Sequence, residues 1–183
     1  METERLILRR WKAVDFDAFV KLNTDSEVMR FFPSPLTPLQ SIELARHAAQ
    51  QLFHQGWGMW AVELKADGEF IGMVGLQPRK ASDGILEDDF VEIVWRLSKS
   101  AWGKGYAPEA ASEVLKFSFT ELGLDSVYSL TALCNLPSQR VMQKIGMHNL
   151  NQDFQHPRLE PDSPLSWHCL YHISRQAWLK SNK

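Results

Sequence analysis

Residues 90–109 read Phe90-Val-Glu92-Ile-Val94-Trp95-Arg96-Leu97, then Ser98-Lys-Ser100-Ala-Trp102-Gly103-Lys104-Gly105-Tyr106-Ala107-Pro108-Glu109. Phe90 to Leu97 is a strand pattern. Ala110, Ala111, Val114, Leu115 and Phe119 form an apolar stripe at helical spacing, predicting a helix from Ala107 to Leu122 that Gly123 ends. Between them, Gly103 and Gly105 sit immediately before the helix. Glycines let the backbone approach a ligand and take angles closed to other residues. The helix start offers unpaired N–H groups and the positive end of a dipole, the chemistry of a phosphate or pyrophosphate cradle. Pro108 has no N–H, so the donors would run from Gly103 to Ala107, with the Lys104 charge nearby. The plain alternative is a tight turn. A nucleoside-triphosphatase loop is excluded, because Gly-x4-Gly-Lys-Ser/Thr is missing. A dinucleotide fingerprint is excluded by the absent third glycine.

Working outward, Val127 to Leu133 reads as a strand and Pro137 to Ile145 as a short helix closed by Gly146. Asn135 and Ser138 lie at that helix start, where each is also an ordinary capping or first-turn residue. Met147 to Phe154 and Leu165 to Ser174 read as two last strands, with a proline-rich loop from Gln155 to Pro164. Upstream, Arg5 to Arg10 alternates as a strand, and Asp15 starts a helix with Phe16, Phe19, Val20 and Leu22 on one face. Asp25 to Phe32 predicts a second short helix. Thr37-Pro38-Leu39-Gln40 carries a capping box and opens a helix to Gln55, stopped by Gly56. Trp57 to Leu64 and Glu69 to Leu76 form a hairpin around Asp67-Gly68, and Arg79 to Asp88 is an exposed loop. The order predicts a mixed α/β (α+β) domain with early hairpins and a late strand–helix–strand crossover.

Composition narrows the function. The 183 residues are 44% hydrophobic and 23% charged, with a formal charge of −2. This is ordinary globular usage, without the basic excess of a nucleic-acid binder. No apolar run approaches the ~18 residues of a membrane span, and the polar start carries no signal segment. The two cysteines, Cys134 and Cys169, form no disulfide framework or metal spacing. The expected protein is cytoplasmic and metal-free, and binds neither nucleic acid nor membrane. Cys134 reads as a buried strand residue rather than a nucleophile. His156, His168 and His172 lack a metal-ligand spacing, and the first two either flank a cleft or pack structurally.

Taken in order, several stretches resemble the Gcn5-related N-acetyltransferase (GNAT) superfamily, in the branch of the ribosomal-protein alanine N-acetyltransferases. They are Thr3-Glu-Arg-Leu-Ile-Leu-Arg9, Gly72-Met-Val-Gly75-Leu, Glu92-Ile-Val-Trp-Arg96-Leu, Trp102-Gly-Lys-Gly-Tyr-Ala-Pro-Glu-Ala110, and Asn135-Leu-Pro-Ser138 ending at Lys144-Ile-Gly146-Met147. The resemblance covers nearly the whole chain and implies one transferase domain over residues 3–180. It implies a central, mostly antiparallel mixed sheet flanked by helices and splayed between its fourth and fifth strands, Phe90 to Leu97 and Val127 to Leu133, with acetyl-coenzyme A in the gap. The backbone of Val94, Trp95, Arg96 and Leu97 would pair with the pantetheine arm. Gly103, Lys104, Gly105, Tyr106 and Ala107 would hold the pyrophosphate. Asn135 would bond the pantetheine or acetyl end, Ser138 would sit by the sulfur, and Arg140 would reach a coenzyme phosphate.

Two positions depart from the superfamily pattern. Ser100 stands where a Gln or Arg is frequent. Met142 stands where many members place a tyrosine acid, and a thioether cannot donate a proton. Ser138 then becomes the candidate acid for the departing thiolate. The implied reaction is direct acetyl transfer to an amine, a protein N-terminus or a small amine. Glu92 is the candidate base, its alternative being an ordinary outward-facing strand residue or a salt-bridge partner, and backbone N–H groups near Val94 and Trp95 are candidate oxyanion donors. A non-catalytic acyl-coenzyme A-binding module on the same fold is the competing function. Monomer and homodimer both stay open.

Overall fold

The structure, a computed structural model, describes residues 1–182. In chain order it contains β1 (Leu6–Arg9), α1 (Asp15–Thr24), α2 (Pro38–Gln55), β2 (Met59–Leu64), β3 (Phe70–Arg79), β4 (Phe90–Leu97), α3 (Tyr106–Thr120), β5 (Ser126–Ala132), α4 (Leu136–Lys144), β6 (His148–Asn149), β7 (Phe154–Gln155), β8 (Trp167–Ser174) and α5 (Arg175–Ser181). The strand order is β1-β2-β3-β4-β5-β8-β6, with β7 also on β8. The pairings of β1–β2, β2–β3, β5–β8, β6–β8 and β7–β8 are antiparallel, and β4 meets β5 in parallel with Glu92 opposite Tyr128. The mixed, mostly antiparallel sheet is the expected class.

The chain resolves into two compact units, Met1–Leu76 with Val94–Val114, and Gln77–Ile93 with the residues from Leu115 onward. In the first, Phe19 and Leu22 of α1 pack with Ala45 and Ala48 of α2 and with Met59 and Met73. Trp11 meets Phe19 edge-on at 4.9 Å and Phe70 at 5.6 Å. A fully buried ring such as Phe19 contributes about 1.5–3 kcal/mol relative to exposure. Thr37 and Gln40 form the anticipated reciprocal capping box, and Gly56 closes α2 at φ 75°.

The second unit is built on β5 and β8, paired from Ser126↔Ser174 to Ala132↔His168. Val127, Leu170 and Ile173 are buried along it. Ser174 caps α5 by accepting from the Ala177 N–H at 3.2 Å. Arg175 donates to the Leu124 carbonyl at 2.9 Å and pairs with Asp125 at 2.7 Å.

Several local expectations are corrected. Residues 25–32 form turns rather than a helix. The Asp25 carboxylate accepts from the Glu27 N–H at 2.8 Å, offering the backbone a local partner that competes with helix. Asp15 starts α1 as expected but does not supply its cap. Val14 occupies that place, while the buried Asp15 carboxylate takes the Arg9 guanidinium at 2.6 and 2.8 Å and the Lys12 N–H at 2.7 Å. The strand expected over residues 147–154 is broken into β6 and β7, because Asn151 turns at φ 55° and its N–H is taken by Asn149 Oδ1 at 2.8 Å. The terminal helix α5 was not anticipated. Cys134 is exposed rather than buried, because β5 ends at Ala132 and the Asn135 N–H folds back onto the Ala132 carbonyl at 2.8 Å.

Candidate active site

In the first unit, the glycine-bearing loop enters α3. Gly103 and Gly105 take φ 73° and 82°, left-handed values that favour glycine. Nothing lies within 4 Å of where a Gly103 Cβ would stand. Gly103 and Lys104 are exposed, Gly105, Tyr106 and Ala107 half-buried. Outside the helix's own ladder, the N–H groups of these five residues have no backbone acceptor among the described residues. The loop therefore presents donors at the positive end of a 15-residue helix.

What holds that loop is a contact the sequence did not announce. Glu109, in the first turn of α3, accepts from Thr3 Oγ1 at 2.5 Å, from the Arg5 N–H at 2.9 Å and from Arg5 Nε at 2.7 Å. Arg5 Nη1 donates to the Lys104 carbonyl at 2.9 Å, and its guanidinium lies 4.7 Å from the Tyr106 ring centre. Burial raises the Glu109 pKa, but these hydrogen bonds outweigh it and leave the carboxyl below its ordinary value. Thr3 and Arg5 belong to the opening motif, so that motif braces the glycine loop from over 90 residues away.

The second half of β4, Val94 to Leu97, lies in the same unit. The Ser98 N–H donates to the Ile71 carbonyl at 2.8 Å, and the Trp102 indole donates to the Leu97 carbonyl at 3.0 Å. A Cβ on Gly72 would stand 2.2 Å from the Arg96 carbonyl oxygen, so glycine there permits the close approach of β3 to β4. The Arg96 side chain donates from Nη1 to Asn23 Oδ1 at 2.6 Å and stacks 4.3 Å from the Phe32 ring centre. Arg96 Nε and Asn23 Nδ2 are buried without a hydrogen-bond partner among the described residues.

The second unit holds the remaining candidates. Asn135 caps α4, its Oδ1 accepting from the Ser138 N–H at 3.3 Å, while its Nδ2 donates to Thr131 Oγ1 at 2.8 Å. Both Asn135 and Ser138 are half-buried, and Arg140 is exposed. Met142 is wholly buried, so the side chain at the family's tyrosine position belongs to the core here.

Glu92 is 3% exposed and accepts from Arg79 Nε at 2.6 Å. Burial raises its pKa, opposed by the Arg79 charge, the Arg79 hydrogen bond and the Leu130 N–H. Thus the salt-bridge alternative is realised, and burial holds the carboxyl above its ordinary value despite the arginine. The ring centres of His156 and His168 are 4.8 Å apart. His156 Nδ1 accepts the Arg158 N–H at 3.2 Å, and His168 Nδ1 lies 3.2 Å from the Ser166 carbonyl. Burial lowers both pKa values, and Arg79 lowers that of His156 further. Among the described residues no His, Cys, Asp or Glu group is arranged to hold a metal ion, and no helix is long and apolar enough to cross a membrane.

Comparison with known proteins agrees with this geometry. The family model described as "Acetyltransferase (GNAT) domain" matches residues 5–148. The chain belongs to the GNAT acetyltransferase family. As a GNAT protein it is an acetyl-coenzyme A-dependent acetyltransferase. It is 31% identical over 171 residues to the FsC-acetyl coenzyme A-N(2)-transacetylase of Aspergillus fumigatus, covering 90% of this chain and 71% of that one. A GNAT-family acetyltransferase from Bacillus anthracis superposes with TM-score 0.78 at 26% identity, over 96% of this chain and 98% of that one. The spermidine N-acetyltransferase of Vibrio cholerae, crystallised with CoA and spermine, shares the fold with TM-score 0.73 at 19% identity, over 95% and 98%.

Proposed function

We propose that this acetyltransferase moves an acetyl group from acetyl-coenzyme A to a primary amine, on a protein N-terminus or a small molecule, by direct attack without an acyl-enzyme. The observation that carries the reading is the loop Gly103 to Ala107, whose N–H groups, outside the helix's own ladder, have no backbone acceptor among the described residues at the start of α3. These amides and Lys104 take the pyrophosphate, and Arg140 takes a further phosphate. The backbone of Val94 to Leu97 pairs with the pantetheine arm, and Asn135 bonds the pantetheine or acetyl end. The relative named for an acetyl coenzyme A-N(2) transfer and the CoA-bound neighbour support this donor. The domain on this reading runs from 3 to 180, as a monomer or homodimer in the cytoplasm.

Before attack, an ammonium N–H must break, and its proton passes through water to the Glu92 carboxylate. The amine lone pair then forms the N–C bond, and the carbonyl oxygen gains charge against N–H groups near Val94 and Trp95. The C–S bond breaks as the intermediate collapses, the thiolate takes the Ser138 hydroxyl proton, and the second amine proton leaves through water to restore that hydroxyl.

Thiol release from acetyl-coenzyme A across a panel of primary amines tests the proposal. Turnover on at least one amine, with acetyl-coenzyme A affinity weakened by Gly103→Ala, is the expected result. Tight binding without turnover on any amine would instead establish the acyl-coenzyme A-binding module.

A further inference from the structure

Glu92, the base of the proposed function, is 3% exposed, with Arg79 Nε on its carboxylate at 2.6 Å and the Leu130 N–H beside it. A carboxylate so enclosed needs a carrier for its proton. On the proposed function, on which this inference rests, the groups of this unit that meet the reacting end of the coenzyme are Asn135 and Ser138.

Strand register brings His168 to the same place. His168 on β8 pairs with Ala132, whose carbonyl accepts the Asn135 N–H at 2.8 Å. Glu92 pairs with Tyr128, and Tyr128 with His172. Paired residues share a face and alternate residues return to it. Glu92, Tyr128, Leu130, Ala132 and His168 therefore lie on one face. Along β5, Leu130, whose N–H meets the Glu92 carboxylate, is followed on that face by Ala132, opposite His168.

The ring is set as a base. Its Nδ1 lies 3.2 Å from the Ser166 carbonyl, which also accepts the His156 N–H at 2.8 Å. A carbonyl only accepts, so Nδ1 carries the proton and Nε2 keeps its lone pair. Among the described residues, the buried side-chain atoms that lack both a hydrogen bond and solvent are Arg96 Nε and Asn23 Nδ2. His168 Nε2 makes no hydrogen bond either, so it reaches solvent although the residue is only 9% exposed.

The groups around the ring leave it neutral. His156, after β7, lies 4.8 Å away and Phe154 of β7 5.9 Å away. Behind His156 stand Arg79 and Arg158, the latter paired with Asp83 at 2.6 Å. Asp153 acts on the neighbouring Cys169, and His172, further along β8, meets Tyr128 and His148. No carboxylate among the described residues pairs with His168, and burial lowers its pKa from 6.5.

We propose that His168 is the proton relay of the acetyl transfer, taking the ammonium proton through water on Nε2 and handing it to the Glu92 carboxylate. The ammonium N–H bond breaks and an Nε2–H bond forms. The imidazolium then gives that proton to Glu92 and is neutral again before the thiolate departs. After product leaves, the same ring carries the proton from Glu92 to solvent. Acting through water and Glu92, His168 is a positioning residue for the proton.

His168→Asn tests this, because the amide nitrogen replaces Nδ1 on the Ser166 carbonyl while the Nε2 base is lost. With an amine that the wild type acetylates, kcat should fall about 10²-fold, with the Kd of acetyl-coenzyme A within about twofold. Wild-type kcat should fall as the imidazole is protonated below pH 6.5, and the variant should keep only the Glu92 limb. For a relay in series, His168→Asn with Glu92→Gln should cost no more than about 10²-fold, whereas independent roles would cost about 10⁴. Added imidazole should restore His168→Ala by at least about tenfold, which a packing role would not allow. Unchanged kcat in His168→Asn, or losses that multiply in the double variant, would overturn the inference. So would a kcat loss that follows Tm and acetyl-coenzyme A affinity and that imidazole does not restore. A wild type that turns over no amine rejects the transfer and the relay together. Turnover indifferent to His168 rejects the relay alone and leaves the transfer standing.

Discussion

Arg79 Nε and Glu92 Oε2 lie 2.6 Å apart, with the two side chains 15% and 4% exposed. The pair joins the end of β3 to β4 inside the second unit. The carboxyl nevertheless has a raised pKa, because burial outweighs the attraction of the arginine.

Glu92→Gln should lower kcat by about 10²-fold and leave the Kd of acetyl-coenzyme A within about twofold. In the wild type, kcat should fall on the acid side as Glu92 is protonated, with a midpoint above the ordinary 4.5. Steady-state kinetics across pH, with binding measured by calorimetry, checks both. An unchanged kcat at every pH removes Glu92 from the proton step.

Arg79→Met should destabilise the protein by about 3 kcal/mol, because it leaves a buried carboxylate uncompensated. Without the arginine, the Glu92 pKa rises further. The variant's added instability should therefore shrink as pH falls and grow as pH rises through the Glu92 pKa. Arg79→Met combined with Glu92→Gln should recover much of the loss. Urea unfolding of the four proteins closes the cycle, and simple additivity would show that the two residues are uncoupled.

His156, His168 and His172 all have pKa values lowered chiefly by burial. The unfolded chain binds protons on these groups first, near 6.5, so their contribution is complete above that pH and lost as pH falls through the lower folded values. Tm should decline as the pH drops below 6.5. His168→Gln should flatten that decline, and an unaltered slope would contradict the assignment.

Gly72→Ala and Gly103→Ala should differ in kind. At Gly72 the Cβ would meet the Arg96 carbonyl at 2.2 Å at φ 138°, so loss of folding by more than about 4 kcal/mol is expected. At Gly103 space is open, and the left-handed φ of 73° costs about 1–2 kcal/mol. Gly103→Ala should therefore remain folded in thermal melts yet bind acetyl-coenzyme A at least tenfold more weakly. Unchanged affinity would reduce the loop to a tight turn.

Cys134→Ala should retain full turnover and keep stability within about 0.5 kcal/mol, since the residue is exposed and lies outside the elements. Loss of activity in the thiol-release assay would reopen the covalent route.

What the sequence determined by itself was local. The capping box at Thr37 and Gln40, the stop at Gly56, the glycine loop before α3 and the extent of β4 were all legible, because each depends on residues a few positions apart. The ordered motifs also carried the family. The failures are of the same scale, turned around: at residues 25–32 a side chain captured the backbone, and at Asn151 a left-handed residue cut a strand. Only the tertiary structure decided the partners. Glu109 meets Arg5 across 104 positions, Arg96 meets Asn23 across 73, and Arg79 meets Glu92 across 13. Periodicity tells which face a side chain takes, but not which charge waits there. That depends on strand register and burial, which set whether a carboxylate is held by an arginine or an arginine is left facing no carboxylate at all.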